Sequence, residues 1–312
     1  MLARRGFLGS LAAVSLAGLA GCESCKKAGS GKPQVAVSIF PLWDLARRIG
    51  GEALDVALVL PAGRTEHAYD PTPKEVQKLA QAKLVVRVGL DLDDWAVKIV
   101  QGATGSAVTA LELGPKAQPL PMGKDHVGED EAHEGKGDDD DHHGANDPHF
   151  WLDPVRTKGV LPAIAEAFGK LLPAEQKGFD ARRAEVEKSL DALHARVDAA
   201  QKAWTKRSIV TFHGSFGYFA ARYGLTIAAV LEPFPGKEPT SKYLAAVLEA
   251  IKQSKPAALF SEPQLDKRPA TVVAEQAKIP LFELDPVGGV GALDSYEKLL
   301  DGNAAVLAKA LA

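Results

Sequence analysis

Pro173-Ala-Glu-Gln-Lys-Gly-Phe-Asp-Ala-Arg-Arg-Ala-Glu-Val-Glu-Lys-Ser-Leu-Asp-Ala-Leu-His-Ala-Arg-Val-Asp-Ala-Ala-Gln-Lys-Ala-Trp204 divides the chain into two halves. Its apolar residues Phe179, Val186, Leu190, Leu193, Val197 and Ala200 recur at helical spacing, and Pro173 suits a helix start. A helix of about thirty residues spans ~45 Å at 1.5 Å per residue, enough to run the length of two domains. It is also a stiffer hinge than a loop. We place this linker helix at 174–205 and read His194, within it, as a surface histidine.

The sequence on either side alternates between two periods. Before the helix, 34–40, 55–60, 83–89 and 108–113 are short β-rich apolar runs. Helix starts fall between them at Pro41, at Thr72-Pro73 and at Asp93 or Asp94, and a further helix runs from Asp153-Pro154 to about Leu172. After the linker helix, strands are expected at 208–212, 226–231, 257–261 and 280–284. Helices are expected at 215–223, 241–253, 267–278 and 295–311. Such alternation predicts parallel sheets with helices on both faces, and the near-continuous apolar strands fit burial on both sides. The expected fold is α/β: a lobe at 33–173 and a lobe at 206–312, each with a mainly parallel sheet flanked by helices, joined by one long α-helix.

Residues 1–21 are a targeting segment. Arg4-Arg5 precedes an apolar run shorter than the ~20 residues needed to span a bilayer, as in a signal peptide. The run ends in Leu19-Ala-Gly-Cys22, which resembles a bacterial lipobox, so Cys22 is the expected lipidation site. Arg4-Arg5-Gly-Phe-Leu8 also resembles a twin-arginine signal, with Ala3 where Ser or Thr is usual. A simple cleaved signal is the alternative. Cys25 is the only other cysteine; with Cys22 acylated it has no partner, so no disulfide framework is expected. Residues 22–32 are polar with Gly and Ser and read as a flexible tether.

The net charge of −3 hides an uneven distribution. Residues 124–147 hold ten carboxylates against two lysines, a local balance of −8, which leaves +5 for the rest. No basic stripe with aromatics appears, so nucleic acid is excluded as a partner. Residues 114–146 form an acidic insert with few apolar groups, expected to be a disordered loop. Its His126, His133, His142 and His143 suit weak, multi-site metal capture, although the insert could equally be a plain solvated loop.

Four residues outside the insert converge in pattern. His67 follows the second strand, His213 follows Ile209-Val-Thr-Phe212, and Asp285 follows Pro280-Leu-Phe-Glu-Leu284. His149 lies in Asp147-Pro-His-Phe-Trp-Leu-Asp-Pro154, just ahead of a helix. Ligands of open α/β sheets bind beyond the carboxyl ends of the strands, so all four can reach one interlobe cleft. Three imidazoles and a carboxylate form a tetrahedral set suited to Zn²⁺; carboxylate-richer sets suit Mn²⁺ better. Glu66, beside His67, is an alternative carboxylate ligand or an exposed side chain, and Asp285 before Pro286 could merely cap a turn. Trp43, Tyr69 and Trp151 are candidates to wall the cleft, or core residues.

The chain resembles the substrate-binding lipoproteins of zinc and manganese ABC transporters, the ZnuA/TroA-like (cluster A-I) group, over nearly its whole length after the tether. The resemblance is carried by His67-Ala-Tyr-Asp-Pro-Thr-Pro73, the 147–154 motif and His213-Gly-Ser-Phe-Gly-Tyr-Phe-Ala-Ala-Arg-Tyr-Gly224. Glu238-Pro-Thr-Ser-Lys242, Phe260-Ser-Glu-Pro-Gln264 and Leu284-Asp-Pro-Val-Gly-Gly289 add to it. It implies two α/β lobes joined by one long helix with a single metal between them, held by His67, His149, His213 and Asp285. It further implies an extracytoplasmic, lipid-anchored monomer that gives zinc to an ABC permease and its ATPase, rather than an enzyme. A manganese-binding member and a surface adhesin are alternatives within the group. A zinc-dependent hydrolase is the rival of another class; it would need Glu66 or Glu262 as general base, and His-Glu-x-x-His is absent.

Overall fold

The computed structural model describes residues 31–67, 69–122, 145–233 and 239–312. Cys22, Cys25, the signal and the four insert histidines lie outside them. Among the described residues the expected strands form as β1 (Gln34–Val37), β2 (Asp55–Leu58), β3 (Ala82–Arg87), β4 (Thr109–Glu112), β5 (Ser208–Thr211), β6 (Thr226–Val230), β7 (Leu259–Ser261) and β8 (Leu281–Glu283). The helices are α1 (Phe40–Gly50), α2 (Pro73–Gln77), α3 (Asp94–Thr104), α4 (Pro154–Leu171), α5 (Gln176–Gln201), α6 (Gly217–Tyr223), α7 (Ser241–Ser254), α8 (Arg268–Ala277) and α9 (Tyr296–Ala310). None is long and apolar enough to cross a membrane.

The strands build two four-stranded parallel sheets, ordered β2-β1-β3-β4 and β6-β5-β7-β8. The two lobes thus share one strand order. In each, the order reverses between the first and third strands, at β1/β3 and at β5/β7, which is where such sheets open a crevice.

Period-two alternation explains how each sheet buries both faces. Val35, Val37, Leu84 and Val86 point into a central core, whereas Ala36 and Val85 point to an outer cluster under α3. In the second lobe Ile209 and Phe260 join the same central core, and Val210, Phe212 and Leu259 pack outward with Tyr243, Val247 and Ile251. The inner faces of both sheets therefore share one continuous apolar core. Helix α5 runs through it, burying Phe179, Val186, Leu190, Leu193 and Val197. Its 26 residues measure ~39 Å, shorter than expected because Pro173–Glu175 forms a 3₁₀ turn at one end and the helix stops at Gln201 at the other.

Two expectations are corrected. His194 is half-buried, not a surface residue; its Nδ1 lies 3.2 Å from Tyr223 Oη, which ties α5 to α6. The acidic insert is also shorter than 114–146. Gly114–Lys116 forms a 3₁₀ turn, and Gly114 N donates to Val88 O at 2.7 Å. A Cβ at Gly114 would stand 2.8 Å from Val88 O, so only glycine allows this approach. Ala117 is buried, and Pro121 bridges Asn146. These anchors are long-range, so the local composition does not reveal them.

Candidate metal centre

His213 lies two residues beyond β5, and Glu262 directly follows β7, so the pair straddles the switch point of the second sheet. Both Glu262 oxygens sit 2.9 Å from His213 Nδ1, and Ser215 Oγ donates to Oε1 at 2.8 Å. With the carboxylate as acceptor at Nδ1, the imidazole turns its Nε2 toward the cleft. His149 is fixed in the same manner. Asp147 Oδ1 accepts from His149 N at 2.9 Å and stands 2.8 Å from Nδ1. Outer carboxylates of this kind set the tautomer and raise ligand basicity at metal-binding histidines.

The first lobe contributes Glu66 and His67 from the loop between β2 and α2, where the chain bends at both residues. Trp95 Nε1 donates to Glu66 O at 3.1 Å and holds the bend. The Nε2 atoms of His67 and His213 lie 3.0 Å apart, and those of His213 and His149 3.3 Å. Glu66 Oε1 is 4.0 Å from His67 Nε2 and 3.9 Å from His149 Nε2. One ligand atom from each of these four residues lies within 4.8 Å of the others. Ligands held 2.0–2.1 Å from a tetrahedral ion are ~3.3 Å apart, so the His213–His149 pair already has that spacing and the Glu66 carboxylate must move inward to match it.

Electrostatics favour a cation at this point. His149, His213 and Glu66 are buried. Burial pushes the Glu66 carboxyl up, against the opposing pull of His213 and His149. Glu66 Oε1 is buried without a hydrogen-bond partner among the described residues. For His213 burial disfavours the charged form, but the Glu262 carboxylate and its hydrogen bond outweigh it, with Glu66 and Asp147 adding, so its pKa is raised. Lone pairs aimed at one another in a dry pocket repel unless a proton or a metal ion lies between them.

The structure brings together His67, His149 and His213 with Glu66. It does not bring Asp285 into that group. Asp285 is buried, but its Oδ1 accepts from Gln264 Nε2 at 2.7 Å, from Val287 N at 2.9 Å and from Gly288 N at 2.8 Å. It caps the turn into the Gly288-Gly289 loop. Trp151 backs the site, its ring centroid 5.1 Å from that of His149, with Nε1 donating to Pro286 O. Trp43 instead donates to Val56 O, and Tyr69 packs edge-on against Trp95.

Sequence reasoning missed Asp147 and Glu262 as orienting groups. Both had a signal: Asp147 stands two residues before His149, and Glu262 ends the strand beside β5. We expect Glu262→Gln to weaken zinc binding 10- to 100-fold, because the amide can turn its NH₂ toward Nδ1 and the negative charge is lost. Competition against a chelator measures this; an unchanged affinity would mean that Glu262 does not tune the site.

Fold and site together define a two-lobed α/β protein with a metal-ligand cluster in its cleft. The chain belongs to the ZnuA family, whose profile, described as zinc-uptake complex component A, periplasmic, matches residues 35–310. Zinc-binding protein AdcA of Streptococcus pyogenes serotype M3 is 28% identical over 264 residues, 83% of this chain and 51% of AdcA. The chain thus spans about half the length of that curated relative. Metal ABC transporter substrate-binding lipoprotein SloC of Streptococcus mutans is 29% identical over 318 residues, covering 96% of this chain and 97% of SloC. The periplasmic zinc-binding protein TroA of Treponema pallidum superposes with a TM-score of 0.74 at 21% identity, covering 90% of this chain and 100% of TroA, and shows the fold.

Proposed function

We propose that this chain captures Zn²⁺ outside the cytoplasm and hands it to an ABC permease and its ATPase, anchored to the membrane by lipid on Cys22. The carrying observation is the cluster of three Nε2 atoms beside the unpartnered, buried Glu66 Oε1. The ion is cargo: His67, His149 and His213 with Glu66 hold it, replacing its water shell with a dry one. Zinc over manganese is supported by the three imidazoles, since Mn²⁺ suits a set richer in carboxylate. AdcA, named for zinc binding, is consistent with this choice. The acidic insert raises the local cation concentration, with His126, His133, His142 and His143 as auxiliary weak sites. The protein acts as a monomer and performs no catalysis.

Metal analysis of purified protein should find one tightly held zinc per chain, and competitive titration should rank Zn²⁺ above Mn²⁺. Tighter Mn²⁺ binding would reassign the cargo, and no stoichiometric metal would end the proposal. Affinity should also depend on pH. The raised pKa values of His213 and Glu66 mean that both hold protons more readily than in water, so zinc must displace them. Affinity is then greatest above the folded imidazole pKa and falls by about tenfold or more per pH unit below it. Titrations at pH 8 and pH 5.5 with equal affinity would rule out imidazole ligation.

A further inference from the structure

Away from the metal centre, residues 116–118 face α4 and α6 across a cavity of about 190 Å³. Three cationic side chains line it: Lys116, Arg156 of α4 and Arg222 of α6. The zinc ligands and their carboxylates use none of them. Two of the three are held in place by other contacts. Arg156 Nη1 donates to Ala117 O at 3.0 Å and also to Gln118 O, and its guanidinium lies 5.3 Å from the centre of the Tyr218 ring. Arg222 clamps Asp153: Nε is 3.0 Å from both carboxylate oxygens and Nη2 2.8 Å from Oδ2. Among the described residues, Asp153 is the only carboxylate that pairs with any of the three. Its Oδ1 is shared further, accepting from Val155 N at 2.9 Å and Arg156 N at 3.4 Å as the cap of α4. Three cations against one carboxylate leave a local surplus of positive charge. The Arg156 and Arg222 side chains are only 21% and 31% exposed, so water screens that charge less than at an open surface.

Two backbone features border the cavity at a cost to stability. Gln118 has φ +54°, left-handed backbone that a residue with a side chain adopts only with strain. Gly159 stands inside α4, where glycine weakens a helix. A Cβ there would meet nothing within 4 Å, so no neighbour demands the glycine. Its lack of a side chain instead leaves one wall of the cavity open.

We infer that this cavity takes a doubly charged tetrahedral oxyanion, phosphate or sulfate, held by Arg156, Arg222 and Lys116. Guanidinium forks present paired donors to such an anion, and the Lys116 ammonium adds a point charge. With both forks already fixed, little side-chain entropy remains to be lost on binding. The volume lies below the roughly 300–1,000 Å³ of pockets for drug-sized ligands and suits a small ion. Bound there, the anion ties the 116–118 segment of the first lobe to α6 of the second. Nothing in this site depends on zinc.

Thermal melting of the zinc-free full chain, in phosphate and in chloride at equal ionic strength, tests this. Phosphate at about 10 mM should raise the melting temperature by roughly 3 °C or more, as for a dissociation constant of ~1 mM or below. Singly charged acetate should raise it by less than about 1 °C. Gly159→Glu supplies a carboxylate from the chain itself; it should melt no lower than wild type in chloride and lose the response to phosphate. Lys116→Gln, at an exposed position, should weaken phosphate binding about tenfold in a calorimetric titration. Equal melting in phosphate and chloride would overturn the site, and so would a full phosphate response in either variant. An acetate shift as large as that of phosphate would overturn the preference for a doubly charged anion. Vesicles separate a lipid source from a free one. Sedimentation with phosphatidic acid vesicles, without any response to free phosphate, would overturn a soluble anion as the occupant.

Discussion

Alanine in place of His213 is expected to lower zinc affinity on the order of a thousandfold, the largest effect of any single change at the site. Its Nε2 is the near neighbour of both other imidazoles, at 3.0 and 3.3 Å, so its loss opens the coordination sphere at the centre. It also strands Glu262, whose carboxylate would stay buried without the Nδ1 partner. Glu66→Ala should cost on the order of a hundredfold, because the carboxylate neutralises the ion as well as coordinating it. Asp285→Ala should change affinity less than tenfold, acting only through the turn it caps. Chelator competition on variants with matched melting temperatures gives this ranking. An Asp285→Ala loss as large as that of His213→Ala would make Asp285 the fourth ligand and displace Glu66.

The second large effect concerns stability without metal. Asp44→Ala should destabilise the zinc-free protein by roughly 3 kcal/mol. Asp44 is fully buried in α1, where it accepts from Arg47 Nη2 at 2.6 Å and from Tyr296 N at 3.1 Å. Arg48 lies 3.6 Å from it and donates to Glu297 at 2.8 and 3.0 Å, and Ser189 of α5 also bonds Glu297. One carboxylate thus sits where α1 of the first lobe, the linker helix and α9 of the second lobe meet. Removing it leaves a buried backbone N–H without an acceptor and Arg48 with one partner fewer. Urea unfolding of chelated protein is the measurement, since bound zinc adds its own stability and would mask the change. A loss below ~1 kcal/mol would show that the apolar core alone holds the lobes together.

Much of this architecture was legible because buried parallel strands announce themselves. Runs such as Lys83-Leu-Val-Val-Arg-Val have few polar interruptions, and Pro41, Pro73 and Pro154 mark helix starts that the structure places within a residue or so. His67 and His213 draw notice because they follow strands in such sheets, and His149 because it stands just ahead of a Pro-initiated helix. Glu66 against Asp285 was not legible. Neighbours along an extended chain point to opposite sides, so Glu66 and His67 should not share a target. Only the bend at both residues turns them to one point, and that bend depends on Trp95, 29 positions away. The position of Asp285 after β8 suits a ligand, but its Oδ1 accepts from three donors nearby, Gln264 Nε2 and the turn amides of Val287 and Gly288. The ordered part of the insert was hidden because Leu90, Val88 and Tyr218 organise it from afar.

In the proposed site, half of the coordination sphere is written in two consecutive codons. Glu66 and His67 arrive on one loop of the first lobe, apart from the carboxylates that hold His149 and His213. Under that reading a lineage can retune the ion by editing that dipeptide and its immediate flanks, while the two sheets and the linker helix stay as they are.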